Sequence, residues 1–486
     1  MSVEPEVREA MAAALGWLKA QGADYADIRW VSERHERLSA RNGSLEAATS
    51  GEDEGVGVRV IFKGAWGFGA TPDLSAVGVV GAAQRALSVA RAASSLNREL
   101  VSLANAEPLV ASFKTGYAED PFGVPLGEKL ELLLAVTKDL SRPSRITQAE
   151  AFLEFLRTEK LFMSTEGALI SQVILQSGGG MTATATSDGE AQRRSYPAQG
   201  GDYVTGGYEH MRALALRANA ERVREEALAL LKAPPLPSGR YTLILEGSQL
   251  ALQVHESCGH PLELDRALGF EVGLAGGSFL TPEALGSYRL GSPLVNLTAD
   301  ATIPGGLGSF GFDDEGVPGQ RVALVREGVL VDFLSSRETA MRLGKKSGGA
   351  MRAEGWRHLP LIRMTNVNLE PGRGSLQELI ADTPKGLFLS TNKSWSIDDL
   401  RLNFQFGCEA AWEIEGGRLG RLFKNPLYTG ITPRFWASCD SVCGPEEWRV
   451  WGVANCGKGE PMQVARVGHG VAPARFRDIE VGRARC

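Results

Sequence analysis

Ala233-Pro234-Pro235-Leu236-Pro237-Ser238-Gly239 decides how this chain of 486 residues is divided. Prolines and a terminal glycine so closely spaced cannot continue a helix. Upstream, Met211 to Lys232 is rich in alanine, leucine, arginine and glutamate and reads as one helix with a solvated charged face. Downstream, strand-like runs and glycine turns dominate. The predicted class is therefore α+β. An N-terminal domain, 1–233, carries an antiparallel sheet with helices, and a C-terminal domain, 240–486, is β-rich and barrel-like.

Just past this linker, Tyr241 to Leu245 reads as a strand. Gly247-Ser248 follows, with Ser248 as an expected N-cap, and Leu250, Ala251, Val254 and Cys258 then take helical spacing. This short helix carries His255-Glu256-Ser257-Cys258-Gly259-His260, which holds two of the chain's six histidines. Two imidazoles with a carboxylate between them suit a zinc ion, a bound water and a base to deprotonate it. Histidines four apart stand about 40° from each other around a helix, whereas five apart they stand about 140° away. A regular α-helix therefore cannot aim both at one ion. Gly259 tolerates unusual dihedrals and Pro261 disfavours the α conformation at His260, so the helix is expected to end or bulge at Cys258-Gly259, as a π-bulge would. Glu256 is the natural general base. Spacing leaves the third protein ligand open among Cys456, His358, His469, Cys439, Cys443, Glu263 and Asp265.

Toward the N-terminus a helix is predicted from about Glu6 to Ala20, then a strand from Tyr25 to Val31 and a hairpin at Asn42-Gly43, whose type I′ turn needs positive φ at both residues. Val56, Val58, Val60 and Phe62 alternate as one buried strand face. A helix after Thr71-Pro72 places Leu74, Val77, Val80, Ala83, Leu87 and Ala90 on one stripe, and another spans Leu126 to Leu140. Strands are expected at 146–157, 161–164 and 169–176, with Gly178-Gly179-Gly180 as a turn or bulge. In the second domain, 402–407 and 410–414 read as separate strands.

Hydrophobic residues at 43%, charged residues at 23% and a net charge of -6 describe an ordinary soluble protein, with no basic, aromatic-interleaved surface for nucleic acid. No run is long and apolar enough to span a bilayer. The opening Met1-Ser2-Val3-Glu4-Pro5-Glu6 lacks the features of a secretory signal, and six irregularly spaced cysteines do not make a disulfide framework. A cytoplasmic protein with reduced thiols is expected. Cys439 and Cys443 read as buried structural thiols, Cys258 as packed under the metal-binding helix or touching the site, and Trp66 and Trp356 as core or interface aromatics. Asp313-Asp314-Glu315 reads as a turn with capping carboxylates, with a second metal site or an anchor for a substrate ammonium as the functional alternatives.

Several ordered motifs resemble the TldD/PmbA family over nearly the whole chain. They are Asp24-Tyr25-Ala26-Asp27-Ile28-Arg29, Gly55-Val56-Gly57-Val58-Arg59-Val60, Gly64-Ala65-Trp66-Gly67-Phe68-Gly69, His255 to Asp265, Phe312-Asp313-Asp314-Glu315-Gly316, Arg363-Met364-Thr365-Asn366 and Asn455-Cys456-Gly457-Lys458-Gly459. The resemblance implies that His255, His260 and Cys456 are zinc ligands and Glu256 the catalytic base. It implies a cytoplasmic metallopeptidase acting on unfolded or small peptides, as a homodimer or as a heterodimer with a metal-free PmbA/TldE-like homologue. Pro261 and Leu264 stand where the family commonly has glycine, which affects the groove beside the ligands rather than the ligands themselves. The alternative is a non-catalytic PmbA-like modulator, a peptide-binding subunit of a peptidase complex.

Overall fold

The structure, a computed structural model, describes residues 5–96, 99–142, 144–273 and 276–483. An eight-stranded sheet forms before the proline-rich segment. Its centre is four long antiparallel strands in the order Ser44–Phe62, Tyr25–Arg41, Ile146–Ser164 and Leu169–Ser187. Ala65–Thr71 extends one side. Val110–Lys114 joins Leu169–Ser187 in parallel, the one departure from antiparallel pairing among the described strands of this sheet. Asn42 and Gly43 both take positive φ (51° and 79°), as the predicted turn requires.

Alternation along these strands gives the sheet two different faces. Ala26, Ile28, Val56, Val58 and Val60 pack on helices Pro5–Ala20 and Ala76–Ser94, while Leu38, Ala40, Ala151, Leu153 and Phe155 pack on Leu126–Leu140 and Leu216–Lys232. The intervening positions, including Asp27, Arg29, Glu33, Arg59 and Glu154, face the C-terminal half of the chain.

Several expectations are corrected. Gly178, Gly179 and Gly180 lie inside a strand, not in a turn, because the neighbouring backbone and rings come too close for a side chain. A Cβ on Gly178 would stand 1.9 Å from the Tyr203 ring. Val77 is 83% exposed, off the buried stripe, because the helix seats its Ala82 and Ala86 backbone directly on Gly69 and Gly67. The helix predicted over Met211–Lys232 is two helices, Glu209–Leu214 and Leu216–Lys232, broken where Ala215 is left-handed (φ 47°). The runs 402–407 and 410–414 form one strand, Asn403–Glu415. Its charged interruption, Glu409, is 1% exposed and accepts from Arg193 and from the backbone N–H and hydroxyl of Ser195 across the two halves. The runs 146–157 and 161–164 merge likewise into Ile146–Ser164.

After the linker the strands close on themselves. Gly239–Leu245 pairs in parallel with Lys385–Ile397 and antiparallel with Ala474–Arg483. Ala474–Arg483 pairs with Pro426–Ile431, that strand with Asn403–Glu415, and Asn403–Glu415 returns to Lys385–Ile397. This circuit is a closed barrel, which leaves no free sheet edge within it. Its apolar side chains share one core with the short helix Gly247–Val254, and Gln249 and Gln253 of that helix bracket the Tyr428 hydroxyl at 2.8 and 2.9 Å. A separate two-stranded ribbon, Arg449–Lys458 and Gln463–Val471, passes beside the helix. Among the described residues no helix is long and apolar enough to cross a membrane.

Candidate metal centre

Helix Gly247–Val254 is capped by Glu246, whose carboxylate accepts the Ser248 N–H at 2.9 Å. Ser248, expected as the cap, lies one position too far in and instead donates its hydroxyl to Glu246 at 2.6 Å. At His255 the helix widens into a π turn over His255–Gly259, with the His260 N–H reaching back to the His255 carbonyl, and a 3₁₀ turn over His260–Leu262 follows. The irregularity expected at Cys258-Gly259 is therefore present and spans the whole interval between the histidines. It returns His260 to the face of His255, with ring centroids 4.8 Å apart. Gly259 is required there, since a Cβ would fall 2.0 Å from Met364 Sδ.

Strand Arg449–Lys458 delivers the thiol. Its ladder slips between Val453 and Cys456, and Cys456 Sγ ends 3.7 Å from His260 Nε2. One donor atom from each of His255, His260 and Cys456 lies within 4.8 Å of the others, and all three residues are buried. A tetrahedral zinc ion sets N···S separations of about 3.6 Å, so this donor set fits the ion in chemistry and, to within a small closure, in spacing.

Hydrogen bonds fix which nitrogen each imidazole presents. Burial, the largest effect, holds His255, His260 and His469 below their ordinary pKa, so the rings are neutral. His469 Nδ1 lies 2.9 Å from the Val367 carbonyl and must donate to it. His469 Nε2 is then an acceptor, so His255 Nδ1, 2.8 Å away, carries the proton and its Nε2 keeps a free lone pair. His260 Nδ1 likewise donates to Glu263 Oε2 at 3.1 Å, leaving Nε2 toward Cys456. Carboxylate or carbonyl support behind a ligating imidazole is the usual device for orienting it.

Behind His260 lies a buried charge cluster. Arg266 donates to Glu263 at 2.6 Å, and Lys458 reaches both oxygens of Asp265 and the Ile362 carbonyl at 2.8 Å. Burial opposes ionisation of Glu263, yet Lys458 and Arg266 outweigh it and hold the group well below the usual carboxylate range. Lys458 follows Cys456 by two residues, so the same strand supplies the thiol and the cation that pins the His260 segment. Burial also opposes ionisation of Cys456, but its contact with His260 and the nearby Arg363 guanidinium outweigh burial and hold the thiol below the ordinary value.

Glu256 points the other way from this cluster and pairs with Arg401 at 2.9 Å. Both line a cavity of ≈ 560 Å³ that also exposes His255, His260 and Cys456. Its walls come from both halves of the chain. Phe152, Glu154 and Tyr203 stand on one side and Trp451 to Gly457 on the other, and Glu154 pairs with Arg466 across the divide.

The other candidates are placed elsewhere. Asp313 accepts the backbone N–H groups of Glu315, Val317 and Met351, and Asp314 pairs with Lys160 at 3.0 Å and Arg29 at 3.4 Å. These carboxylates fasten the C-terminal half to the charged face of the sheet and do not line the cavity beside His255. His358 lends its carbonyl to Arg29 in the same interface. Trp66 and Trp356 also bond across it, to Glu338 and Asp53. Cys258, Cys439 and Cys443 are buried free thiols of the barrel core, and burial pushes Cys439 and Cys443 up to about 12. Sequence reasoning missed Arg401 and the orienting role of His469, since neither stands near the histidine segment in the chain.

Three family models match the chain: the PmbA/TldA metallopeptidase domain 1 over residues 26–94, the central domain over 119–231 and the C-terminal domain over 238–483. A metalloprotease of Methanothermobacter thermautotrophicus is 31% identical over 460 residues, 94% of this chain and 95% of that protein. One from Methanocaldococcus jannaschii is 30% identical over 436 residues, 90% and 92% of the two chains. A metalloprotease TldD homolog of Haemophilus influenzae is 26% identical over 470 residues, 94% and 93%. Among solved structures, a putative modulator of DNA gyrase from Thermotoga maritima superposes with a TM-score of 0.78 at 19% identity, covering 98% of this chain and all of that one. TldE from Thermococcus kodakarensis does so with 0.74 at 17% identity, covering 97% and 100%. At these identities the two structures speak to the fold alone.

Proposed function

We propose that this chain, which belongs to the PmbA/TldD metallopeptidase family, is a zinc-dependent peptidase that hydrolyses small or unfolded peptides with Glu256 as general base. The observation that carries this reading is the convergence of His255, His260 and Cys456 beneath a cavity that Glu256 also lines. Zinc held by the two Nε2 atoms and the Cys456 thiolate would polarise a scissile carbonyl and acidify a water molecule. Glu256 would take the proton from that water and pass it to the leaving amine, a role that its position on the same cavity supports. His469 and Glu263 hold the two imidazoles in the tautomer that presents Nε2. The cavity-facing edge of Arg449–Lys458 can bind an extended peptide through its backbone, which reads extension more than side-chain identity.

The same reading makes the working unit a homodimer or a heterodimer with a PmbA/TldE-like homologue. It places the chain in the cytoplasm, in keeping with the five cysteines among the described residues, all buried as free thiols. The competing assignment, a non-catalytic modulator, leaves the assembled His, His, Cys and Glu set without a purpose.

The test is Glu256→Gln in the full chain. It should retain one metal ion per chain and lose about 100-fold or more in peptide turnover. Undiminished hydrolysis would remove Glu256 from the role. Metal-free, inert wild-type protein would favour the modulator.

A further inference from the structure

We propose that Arg401 is the positioning residue that holds Glu256 for proton transfer, an inference that rests on the peptidase reading above. Glu256 is 6% exposed, and among the described residues Arg401 alone forms an ion pair with it, Nη1 to Oε2 at 2.9 Å. A carboxylate so removed from water needs a compensating donor. The contact engages one oxygen only. A two-pronged guanidinium grip would occupy both. The single contact fixes the carboxylate and leaves Oε1 to work.

Arg401 is itself held in an unfavourable place. It lies in the connection between the barrel strands Lys385–Ile397 and Asn403–Glu415 with φ at 64°, a left-handed conformation that a side chain other than glycine seldom adopts. The surroundings enforce it. The Arg401 N–H donates to the Asp398 carbonyl at 2.9 Å, the Asp398 carboxylate accepts the N–H groups of Leu402 and Asn403 at 2.7 and 3.0 Å, and the Thr432 hydroxyl donates to the Arg401 carbonyl at 2.8 Å. Backbone strain over-determined in this way gathers where a side chain must be aimed. Here it aims a guanidinium into the cavity at Glu256, the carboxylate next to His255 in the chain.

The experiment compares Arg401→Gln, Arg401→Lys, Glu256→Gln and the double variant Glu256→Gln/Arg401→Gln, in metal-loaded and metal-free full-length protein. Arg401→Gln should keep its metal, lose about 100-fold in kcat and hold KM within about threefold. Arg401→Lys should recover about tenfold of that loss, because it restores charge without the fork. Arg401→Gln should cost nothing further on the Glu256→Gln background. In metal-free protein, urea unfolding of the same set should show non-additive effects at the two positions. Wild-type kcat in Arg401→Gln, additive losses in the double variant, or no coupling in metal-free protein would each overturn the inference. An inert metal-loaded wild type would instead sink the peptidase reading, and the inference with it.

Discussion

His469 Nε2 stands 2.8 Å from His255 Nδ1, and the Val367 carbonyl stands 2.9 Å behind His469. This chain of hydrogen bonds decides which nitrogen of His255 faces the cavity. His469→Ala should lower metal affinity by about 10- to 100-fold, the usual cost of losing an outer partner, while Glu256 is untouched. Competition with a chelator of known affinity measures it. Unchanged affinity would show that His255 is oriented without His469.

Lys458→Met should destabilise the protein by about 3–5 kcal/mol, because Asp265 and Glu263 would be left buried with less compensation. Urea unfolding at neutral pH checks this. A variant as stable as wild type would mean the cluster is supported by Arg266 alone.

Cys456→Ala should lose metal on dialysis, and His358→Ala should keep it, since the His358 carbonyl and not its ring serves the interface with Arg29. Metal analysis of both variants after dialysis decides. Full occupancy in Cys456→Ala would move the third ligand elsewhere.

The metal-free protein should lose stability as the medium is acidified. His255, His260 and His469 are held below their ordinary pKa, chiefly by burial, so the unfolded chain binds more protons than the folded one once pH drops below about 6.5. The stabilisation is complete above that value and is lost as pH falls through the folded values, by up to about 1.4 kcal/mol per pH unit for each ring. Unfolding free energies between pH 8 and pH 5 test the sign. His469→Gln should flatten the slope.

Features governed by neighbours in the sequence were the most legible. Helix Leu126–Leu140 has the predicted bounds, and the five-residue spacing of His255 and His260, with Gly259 and Pro261 beside them, announced a non-α turn. Features set by distant partners were not. Gly178 to Gly180 look like a turn until Tyr203, Met211 and Gly201 arrive against them. Glu409 looks like a strand end until Arg193 and Ser195 satisfy it from the other half. Arg401 carries no local signature, because its left-handed turn is made by Asp398 and Thr432 and its target lies 145 residues away. Asp313 and Asp314 show both kinds. Asp313 accepts the backbone amides of Glu315 and Val317, the local capping turn that the run of acid suggests, while Asp314 adds the distant partners Arg29 and Lys160.

The cavity above the histidines is walled by both halves of the chain, which the Glu154–Arg466 bridge ties together beside it. On the peptidase reading, a substrate would reach Glu256 between these two walls, as a stretched strand rather than as the flank of a compact domain. A client protein would have to fray a segment before any of its peptide bonds became vulnerable. Its lifetime would then be graded by its own local opening equilibrium, with loosely held tails consumed first and tightly knit cores ignored.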